Sequence, residues 1–315
     1  MTRLNNLLVI VDPTAQEHPA VEKAALLAAK FHARLELYAC DTRAARESRL
    51  AAAAVYGTSA SDSVAPRAFL ENLARPLRQR GLDVATEVEF SESLAEQLID
   101  RTRCSSADLV IKDTHHHSLA RRTFLSNTDW ELIRGCPIPL LLTKATAWAQ
   151  TPQIVAAIDP FHLNDKPADL DRLILDHASC LAKGLGGTVH ALHAYIPVAV
   201  VAAAVATEPG TALAVSPEEI KHERQHRLDD LATVTAPFAI APERLHVEPG
   251  GPVQVLPEAA RKLHADIVAM GALSRRGLRR IFIGSTAEDV LERLPCDALI
   301  VKPPDFAQAL QGICA

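Results

Sequence analysis

The chain has 315 residues and a mass of 34.0 kDa, with 48% of its residues apolar and 23% charged. This composition supplies enough apolar side chains for a core and excludes disorder of the whole chain, while the length predicts two domains. The 33 Lys and Arg against 38 Asp and Glu give a net charge of −5, which excludes the basic excess of a general nucleic-acid binder.

The first predicted strand is Leu7–Pro13, an apolar run that ends in Asp12 and a proline. Apolar runs without polar alternation are typical of parallel strands that are buried on both faces. An amphipathic helix with its apolar face from Val21 to Phe31 follows, and then a second strand at Arg34–Ala39. The order strand, helix, strand predicts a βαβ unit.

The second half of the chain opens in the same way. Ile154–Pro160 is again an apolar run, and Asp159 precedes its final proline. A helix with an apolar face from Leu170 to Leu181 and a strand at Thr188–Ala194 follow in the same order. Capping boxes, in which Ser or Thr is followed three residues later by Glu, predict three further helix starts, at Ser93, Thr128 and Ser285.

The closing segments of the two halves align without a gap, so that Thr286 lies 158 residues after Thr128 and Pro295 lies 158 residues after Pro137. A run of such matches at one offset indicates a duplication. A Thr-Pro step places the boundary within Trp148–Thr151. We therefore predict two tandem α/β domains, residues 1–148 and 149–315.

A glycine-containing loop in the second half is the most informative segment. It follows the predicted strand Asp266–Met270, runs from Gly271 to Gly284, and leads into a helix at Ser285. Glycine lets a backbone approach a ligand closely, and the N–H groups of a helix start favour an anion. Ligands of α/β folds bind at the carboxyl ends of the strands, so the loop predicts a site for phosphate or another anion near Arg275 and Arg276. A self-capped helix beside a solvated loop is the alternative.

Other candidate residues have two interpretations each. His115 and His117 could share a face of an extended segment and hold a metal with Asp113, or they are polar loop residues. Asp12 and Asp159 could contact a ligand or begin a turn, because Asp before Pro initiates turns. We expect His193 to be a satisfied histidine of the core or of a sheet edge.

Catalytic and targeting motifs are missing from the sequence. It contains no P-loop, nucleophile elbow or zinc-protease helix, so we predict no catalytic residue. Six scattered cysteines without a CxxC pair are typical of reduced thiols, and Cys136 and Cys296 are predicted to be buried. The opening residues lack a signal-peptide pattern, and the longest apolar run, Ile196–Ala206, is shorter than the ~20 residues of a membrane span. We therefore expect a cytoplasmic protein.

The loop and the duplication together resemble a known family. The strand that ends in Asp159, with Gly271 and then Gly284-Ser285 at the last βα junction, resembles the Gly-x2-Gly-x9-Gly-Ser pattern of the universal stress protein family. The duplication resembles the tandem members of that family. The segments Cys136–Leu142 and Pro295–Val301 resemble its last strand.

This resemblance implies a doubly wound, five-stranded parallel sheet in each half, of the adenine nucleotide alpha hydrolase-like type. It also implies that the halves pair through their last strands as a pseudo-dimer. ATP-binding members would use Asp159, Gly271, Gly284 and Ser285, but Ser274 replaces the second loop glycine here. Tandem members resemble binders of lipid-like ligands rather than users of ATP.

The first half departs further from the family pattern. Asp113 stands where the second half has Gly271, His116 stands at the position of Ser274, and Ser126-Asn127 replaces Gly284-Ser285. A carboxylate beside a phosphate costs on the order of 1 kcal/mol at a wet surface and more in a cleft. We predict no nucleotide in the first half.

The sequence thus predicts a non-enzymatic, cytoplasmic stress-response protein that binds a small anionic or amphipathic ligand in the cleft at its strand ends. A nucleotide-binding switch or slow ATPase that uses ATP, or another phosphate-containing ligand, in the second domain alone is the alternative. The expected partners are a nucleotide or lipid-like small molecule, the other half of the chain and, through exposed sheet edges, a second copy. Neither nucleic acid nor a membrane is expected. The candidate ligand-binding residues are Asp159, Gly271, Ser274, Arg275, Arg276, Gly284, Ser285 and Thr286.

Overall fold

The structure of the chain is a computed structural model. It describes residues 2–43, 46–47, 66–114, 125–161, 168–198, 200, 217–272, 285–303 and 306. The chain forms two compact units, the first within Thr2–Ala147 and the second within Trp148–Leu273 and Gly284–Pro303.

The first unit is a five-stranded parallel sheet with helices between its strands, in the spatial order β3-β2-β1-β4-β5. Because β1 lies in the centre and the chain winds outwards on both sides of it, the sheet is doubly wound. Its strands are β1 Asn6–Ile10, β2 Arg34–Thr42, β3 Val84–Ser91, β4 Leu109–Asp113 and β5 Leu140–Thr143. Its helices are α1 Pro19–Phe31, α2 Pro66–Gln79, α3 Leu94–Cys104 and α4 Asn127–Gly135.

The second unit repeats this topology, with parallel strands in the order β8-β7-β6-β9-β10. Its strands are β6 Gln153–Ala157, β7 Thr188–Tyr195, β8 Leu245–Pro249, β9 Ile267–Gly271 and β10 Asp297–Val301. Its helices are α5 Ala168–Leu185, α6 Pro217–Thr235, α7 Pro252–Lys262 and α8 Ser285–Arg293, with short 3-10 turns at Ala236–Phe238 and Pro242–Arg244. The predicted fold class of each half is confirmed. The predicted pairing of the halves stays a prediction.

The cores follow from the apolar runs of the sequence. Leu7–Ile10 in β1 and Ile154–Ala156 in β6 are buried, because each strand has a strand on either side and helices over its faces. The strands are shorter than the predicted Leu7–Pro13 and Ile154–Pro160. In the first unit β1 ends at Ile10 because Asp12 begins a turn with Thr14.

Two predicted capping boxes are wrong. Ser93 is the N-cap of α3, but its side chain makes no capping bond, and its N–H instead donates to Ser91 Oγ at 3.2 Å. The helix predicted to have Thr128 as its cap begins two residues earlier, with Ser126 as the cap. Its capping carboxylate is that of Asp129, since a shorter Asp side chain reaches the cap at the third position as Glu does. The box predicted at Ser285 stays a prediction, because that side chain lies outside the described residues.

Candidate functional site

The predicted site lies at the carboxyl-terminal ends of the parallel strands, which we call the tip of each unit. The first tip comprises Asp12, Asp113 and the start of α4, and the second comprises Asp159, Gly271 and the start of α8. Ser285 is the first residue of α8, and Thr286 is exposed in its first turn. The remaining predicted residues of the loop and the two histidines of the metal hypothesis lie outside the described residues: Ser274, Arg275, Arg276, Gly284, His115 and His117.

The carboxylates of the first tip have partners within the chain. Asp12 Oδ1 accepts hydrogen bonds from Thr14 N at 2.8 Å and from Thr14 Oγ1 at 2.7 Å. Asp113 Oδ1 accepts from Ala20 N at 2.7 Å, at the start of α1, and from Thr143 Oγ1 at 2.8 Å. Burial raises the pKa of Asp113, and these two hydrogen bonds oppose the rise. The carboxylate that replaces the loop glycine therefore caps a helix of its own unit.

A second internal carboxylate closes the start of α4. Asp129 is fully buried, and its Oδ2 accepts from Ser126 N at 2.7 Å. Its Oδ1 lies 2.6 Å from Nζ of Lys112, which is itself buried in β4. The helix start thus holds an anion that belongs to the chain, where an open helix start would favour an anion from solution.

The second tip has none of these three side chains. At the offset of 158 residues, Met270 corresponds to Lys112, Gly271 to Asp113, and Ala287 to Asp129. The structure agrees with this alignment, since Lys112 pairs with Ile10 at the end of β1 and Met270 pairs with Ala157 at the end of β6. The lysine and both carboxylates that close the first tip are therefore replaced by apolar residues and a glycine.

Gly271 has a packing role that the sequence did not predict. A Cβ atom at this position would lie 2.7 Å from Cδ2 and 3.2 Å from Cγ of Leu170, a fully buried residue of α5. In the first unit the Asp113 side chain stands at the corresponding strand position and accepts from the backbone N–H of Ala20 at 2.7 Å.

Asp159 differs from its first-unit counterpart, Asp12. Its backbone N–H donates to Asp171 Oδ1 at 3.1 Å. Its Oδ1 atom is buried and has no hydrogen-bond partner among the residues that the structure describes. It lies 3.9 Å from Nδ1 of His193, beyond hydrogen-bond range. The Asp159 side chain therefore does not form the hydrogen-bonded turn that the Asp12 side chain forms with Thr14.

Two further residues belong to the second tip. His193 is only 1% exposed, and its Nδ1 lies 3.2 Å from the carbonyl oxygen of Ile158. Its Nε2 is buried without a partner in the described part of the chain, and so is the hydroxyl of Tyr195, which is 2% exposed. The expectation that His193 is a satisfied core histidine is therefore wrong for one of its two ring nitrogens.

Burial lowers the pKa of His193, with a smaller contribution in the same direction from Arg227 and opposing contributions from the Ile158 carbonyl and Asp159. The imidazole is thereby kept neutral. A neutral imidazole with one nitrogen bonded to a carbonyl presents a lone pair at the other nitrogen.

Aromatic rings and one arginine surround these atoms. The Phe161 ring lies 5.3 Å from the His193 ring, measured between centroids. The guanidinium of Arg227, on α6, lies 4.8 Å from the ring centroid of Phe161 and 4.5 Å from that of Tyr195. Glu223 holds this arginine through two hydrogen bonds, of 2.9 Å and 3.2 Å. Arg227 is thus fixed over both rings.

The spacing of two residues in the sequence indicates this cluster, although the sequence analysis did not use it. His193 and Tyr195 are two residues apart in a strand, so their side chains project from the same face. They also lie near the end of β7, close to Asp159, which follows the neighbouring strand β6. The N–H of Val11, just after β1, donates to Tyr38 O at 2.8 Å, and the N–H of Ile158, just after β6, donates to Leu192 O at 3.0 Å. Tyr38 and Leu192 are therefore at equivalent positions. The residues that follow them, Ala39 and His193, are equivalent as well.

The remaining predictions concern metals, cysteines and membranes. Within the described ranges, no group of three or more His, Cys, Asp or Glu side chains could hold a metal ion. Cys136 and Cys296 are buried as predicted, and none of the five described cysteines forms a disulfide. No described helix is both long enough and apolar enough to cross a membrane.

Comparisons with known proteins agree with the duplicated fold. The model of the universal stress protein family matches residues 4–144 and again residues 153–302. The chain is 28% identical to universal stress protein E of Salmonella typhi over 97% of its own length and 96% of that protein. It is 27% identical to universal stress protein E of Escherichia coli K12, with the same coverage.

Solved structures show the same similarity. The crystal structure of a putative universal stress protein from Pseudomonas aeruginosa UCBPP-PA14 has a TM-score of 0.76 at 28% identity and covers 98% of this chain and 97% of its own. A functionally unknown protein from Pseudomonas aeruginosa PAO1 gives 0.76 at 27% identity, with 98% and 96% covered.

Proposed function

The chain belongs to the universal stress protein family, and from that membership we propose that it is a non-enzymatic stress-response protein that binds one small anionic or amphipathic ligand at its second tip. The first tip takes no ligand, because its own side chains occupy the corresponding places. The family resemblance predicted from the sequence is confirmed by the match over both halves.

The observation that carries the proposal is the difference between Asp12 and Asp159. Asp12 Oδ1 has two donors from Thr14, whereas Asp159 Oδ1 is buried with no donor among the described residues. A buried polar atom without a partner costs about 1–3 kcal/mol. A ligand that donates a hydrogen bond to Asp159 removes this cost.

The start of α8 supports an anionic group on the ligand. The first N–H groups of a helix have no partner within the helix and favour negative charge. In the first unit the buried Asp129 carboxylate supplies that charge, whereas the corresponding residue of α8 is Ala287 and the acidic residue of its first turn is Glu288. The ligand would place its anionic part near Ser285 and Thr286 and its donating part at Asp159.

No catalytic step is part of the proposal. A nucleophile would need to lie within hydrogen-bond reach of a base. In the described part of the chain, the bond that His193 makes is to the carbonyl of Ile158, and no Ser, Cys or Lys side chain bonds to it. Aromatic rings and Arg227 occupy its surroundings.

Calorimetric titration of the full chain tests the proposal with two probes, ATP and dodecyl phosphate, which represent a nucleotide and an amphipathic anion. Either probe is expected to bind at one site per chain. Asp159→Ala should weaken the binding of ATP, whose amino and hydroxyl groups can donate to this carboxylate, about 10- to 100-fold, as expected for the loss of a hydrogen bond to a charged group. Asp12→Ala, the matched control, should leave it unchanged.

Binding of neither probe, two equal sites per chain, or an Asp159→Ala variant with unchanged affinity would contradict the proposal. Binding of ATP alone, together with phosphate release by the wild-type chain, would instead favour the nucleotide switch or slow ATPase. The two substitutions test the site in either case, because both functions use Asp159 and neither uses Asp12, whereas phosphate release separates the two functions.

A further inference from the structure

At the second tip, we propose that His193 and Tyr195 select a ligand with neutral hydroxyl groups, such as a sugar or another polyol. The inference rests on the proposed function, because the ligand is the one that binds at this tip. It adds the chemistry of the part of the ligand that enters among the aromatic side chains.

The surroundings of His193 determine which of its ring nitrogens carries the proton. Its Nδ1 faces the carbonyl oxygen of Ile158 at 3.2 Å, and a carbonyl oxygen only accepts hydrogen bonds. Nδ1 therefore carries the proton, and the buried Nε2 presents a lone pair. This nitrogen needs a donor.

Two further polar atoms, the Tyr195 hydroxyl and Asp159 Oδ1, also lack a partner among the described residues. Tyr195 lies on the same face of β7, and its ring is nearly parallel to the imidazole, with an interplanar angle of 11° and centroids 6.2 Å apart. Its hydroxyl, which can donate or accept, has no partner among the described residues. Asp159 Oδ1, which lies 3.9 Å from the other ring nitrogen of His193, is another acceptor. Two of the three unpartnered atoms therefore accept only, and the third does either.

The charged side chains near these atoms limit which ligand group can bind there. An anionic group would face the Asp159 carboxylate and the lone pair of His193, so it is repelled. A cationic group would lie near the Arg227 guanidinium, which is fixed 4.5 Å from the Tyr195 ring. A neutral hydroxyl avoids both penalties, because it can donate to His193 Nε2 or Asp159 Oδ1 while it accepts from Tyr195.

The first unit provides another buried tyrosine for comparison. Tyr38 in β2 is fully buried like Tyr195 in β7, but its hydroxyl donates to Glu89 Oε2 at 2.8 Å. One tyrosine thus has an internal partner and the other has none among the described residues. The residue that corresponds to His193 is Ala39, which has no polar side chain.

Thermal unfolding of the full chain, freed of bound small molecules by extensive dialysis, tests the unpartnered hydroxyl without any ligand. Tyr38→Phe should lower the melting temperature by about 2–4 °C, because it removes a made hydrogen bond. Tyr195→Phe should leave it unchanged or raise it. An equal decrease for Tyr195→Phe would show that the hydroxyl has an internal partner and would overturn the inference.

Binding measurements then test the selectivity. The probes are ribose 5-phosphate and glucose 6-phosphate, each beside its 2-deoxy analogue, with inorganic phosphate as the reference. Wild-type protein should bind a hydroxylated probe about 5- to 10-fold more tightly than its analogue. In Tyr195→Phe this preference should fall below about 2-fold.

Equal binding of each probe and its deoxy analogue by the wild type would overturn the inference. If ATP, whose amino group can donate to Asp159, still bound at one Asp159-dependent site, the proposed function would stand without the hydroxyl preference. If no phosphate probe bound, and neither ATP nor dodecyl phosphate bound either, both proposals would fail.

Discussion

The two tips have the same strand order but differ in whether their polar side chains have partners within the chain. In the first tip, Asp12, Asp113 and Asp129 each accept hydrogen bonds from their own unit. In the second tip, buried acceptor atoms of Asp159 and His193 have no partner in the described residues. The comparison teaches that a duplicated fold can satisfy the polar atoms at one tip internally and leave those at the other tip without internal partners.

The two units also differ in packing at the end of the strand that carries these residues. In the first unit the Asp113 side chain accepts from Ala20 N, at the start of α1. In the second unit the same strand position is Gly271, and a Cβ atom there would lie 2.7 Å from Cδ2 of the buried Leu170. The second unit therefore has no room for a side chain at this position.

The largest expected effect comes from the carboxylate that closes the first tip. Asp129→Ala leaves the Lys112 ammonium buried without its partner at 2.6 Å. We expect the free energy of unfolding of the first unit to fall by about 3–5 kcal/mol. Urea unfolding followed by Trp130 fluorescence, in a Trp148→Phe background, measures this loss.

The double variant Lys112→Met/Asp129→Ala is the matched control, because it copies Met270 and Ala287 of the second unit. It should recover most of the lost stability, since no charge is left buried. A double variant no more stable than Asp129→Ala would show that the capping bonds, rather than the buried pair, close the first tip.

A smaller loss is expected for Gly271→Ala in the second unit. The new Cβ would meet Leu170 Cδ2 at 2.7 Å, and overpacking of this kind costs about 1–3 kcal/mol. Gly251→Ser serves as control, since a Cβ there meets no atom within 4 Å and serine is a favourable N-cap for α7. Thermal unfolding should show a loss for the first variant and none for the second.

A double variant shows whether the cost of Gly271→Ala comes from contact with Leu170. In the double variant Gly271→Ala/Leu170→Ala the costs should sum to less than those of the single variants, because the added methyl group fills part of the space that the leucine leaves. Strictly additive costs would mean that Gly271 is not constrained by α5.

The smallest expected difference is in the response to mild acid. Burial lowers the pKa of four histidines of the second unit, His177, His190, His193 and His246. The unfolded chain takes up a proton near the ordinary value of about 6.5, whereas the folded unit resists it. Their contribution to stability is therefore present above that value and is lost as the pH falls through it.

In the first unit, burial raises the pKa of Asp113, which acts in the opposite direction, because a folded carboxyl that holds its proton gains stability as the pH falls. Trp148 reports on the second unit, since its Nε1 donates to Asp297 Oδ2 at 2.8 Å. In a Trp130→Phe variant its urea midpoint should fall between pH 7.5 and pH 6.0 by more than the midpoint that Trp130 reports. Equal shifts would show that these histidines do not distinguish the units.

The fold could be predicted from the sequence because its signals are local and repeated. The apolar runs at β1 and β6 and the ungapped alignment of Thr128 with Thr286 follow directly from residue order. Helix starts were less predictable. The Ser126 box depends on Asp129, whose burial against Lys112 joins two elements that are distant in sequence.

The site was predictable only in part, for the same reason. Asp159 and Gly271 stand in a recognisable pattern, but the packing of Gly271 against Leu170 is a contact between distant segments. The unpartnered atoms of His193 and Tyr195 become visible only when every donor around them is known. Sequence gives the residue types at a strand end, and the structure shows which of them lack partners.

Mass spectrometry of the full chain as purified, under native and then denaturing conditions, tests the difference between the two tips most directly. The account predicts one bound small molecule per chain in the wild type and in Asp12→Ala, and a loss of that molecule in Asp159→Ala. Two bound molecules per chain, or one that Asp159→Ala retains in full, would contradict it.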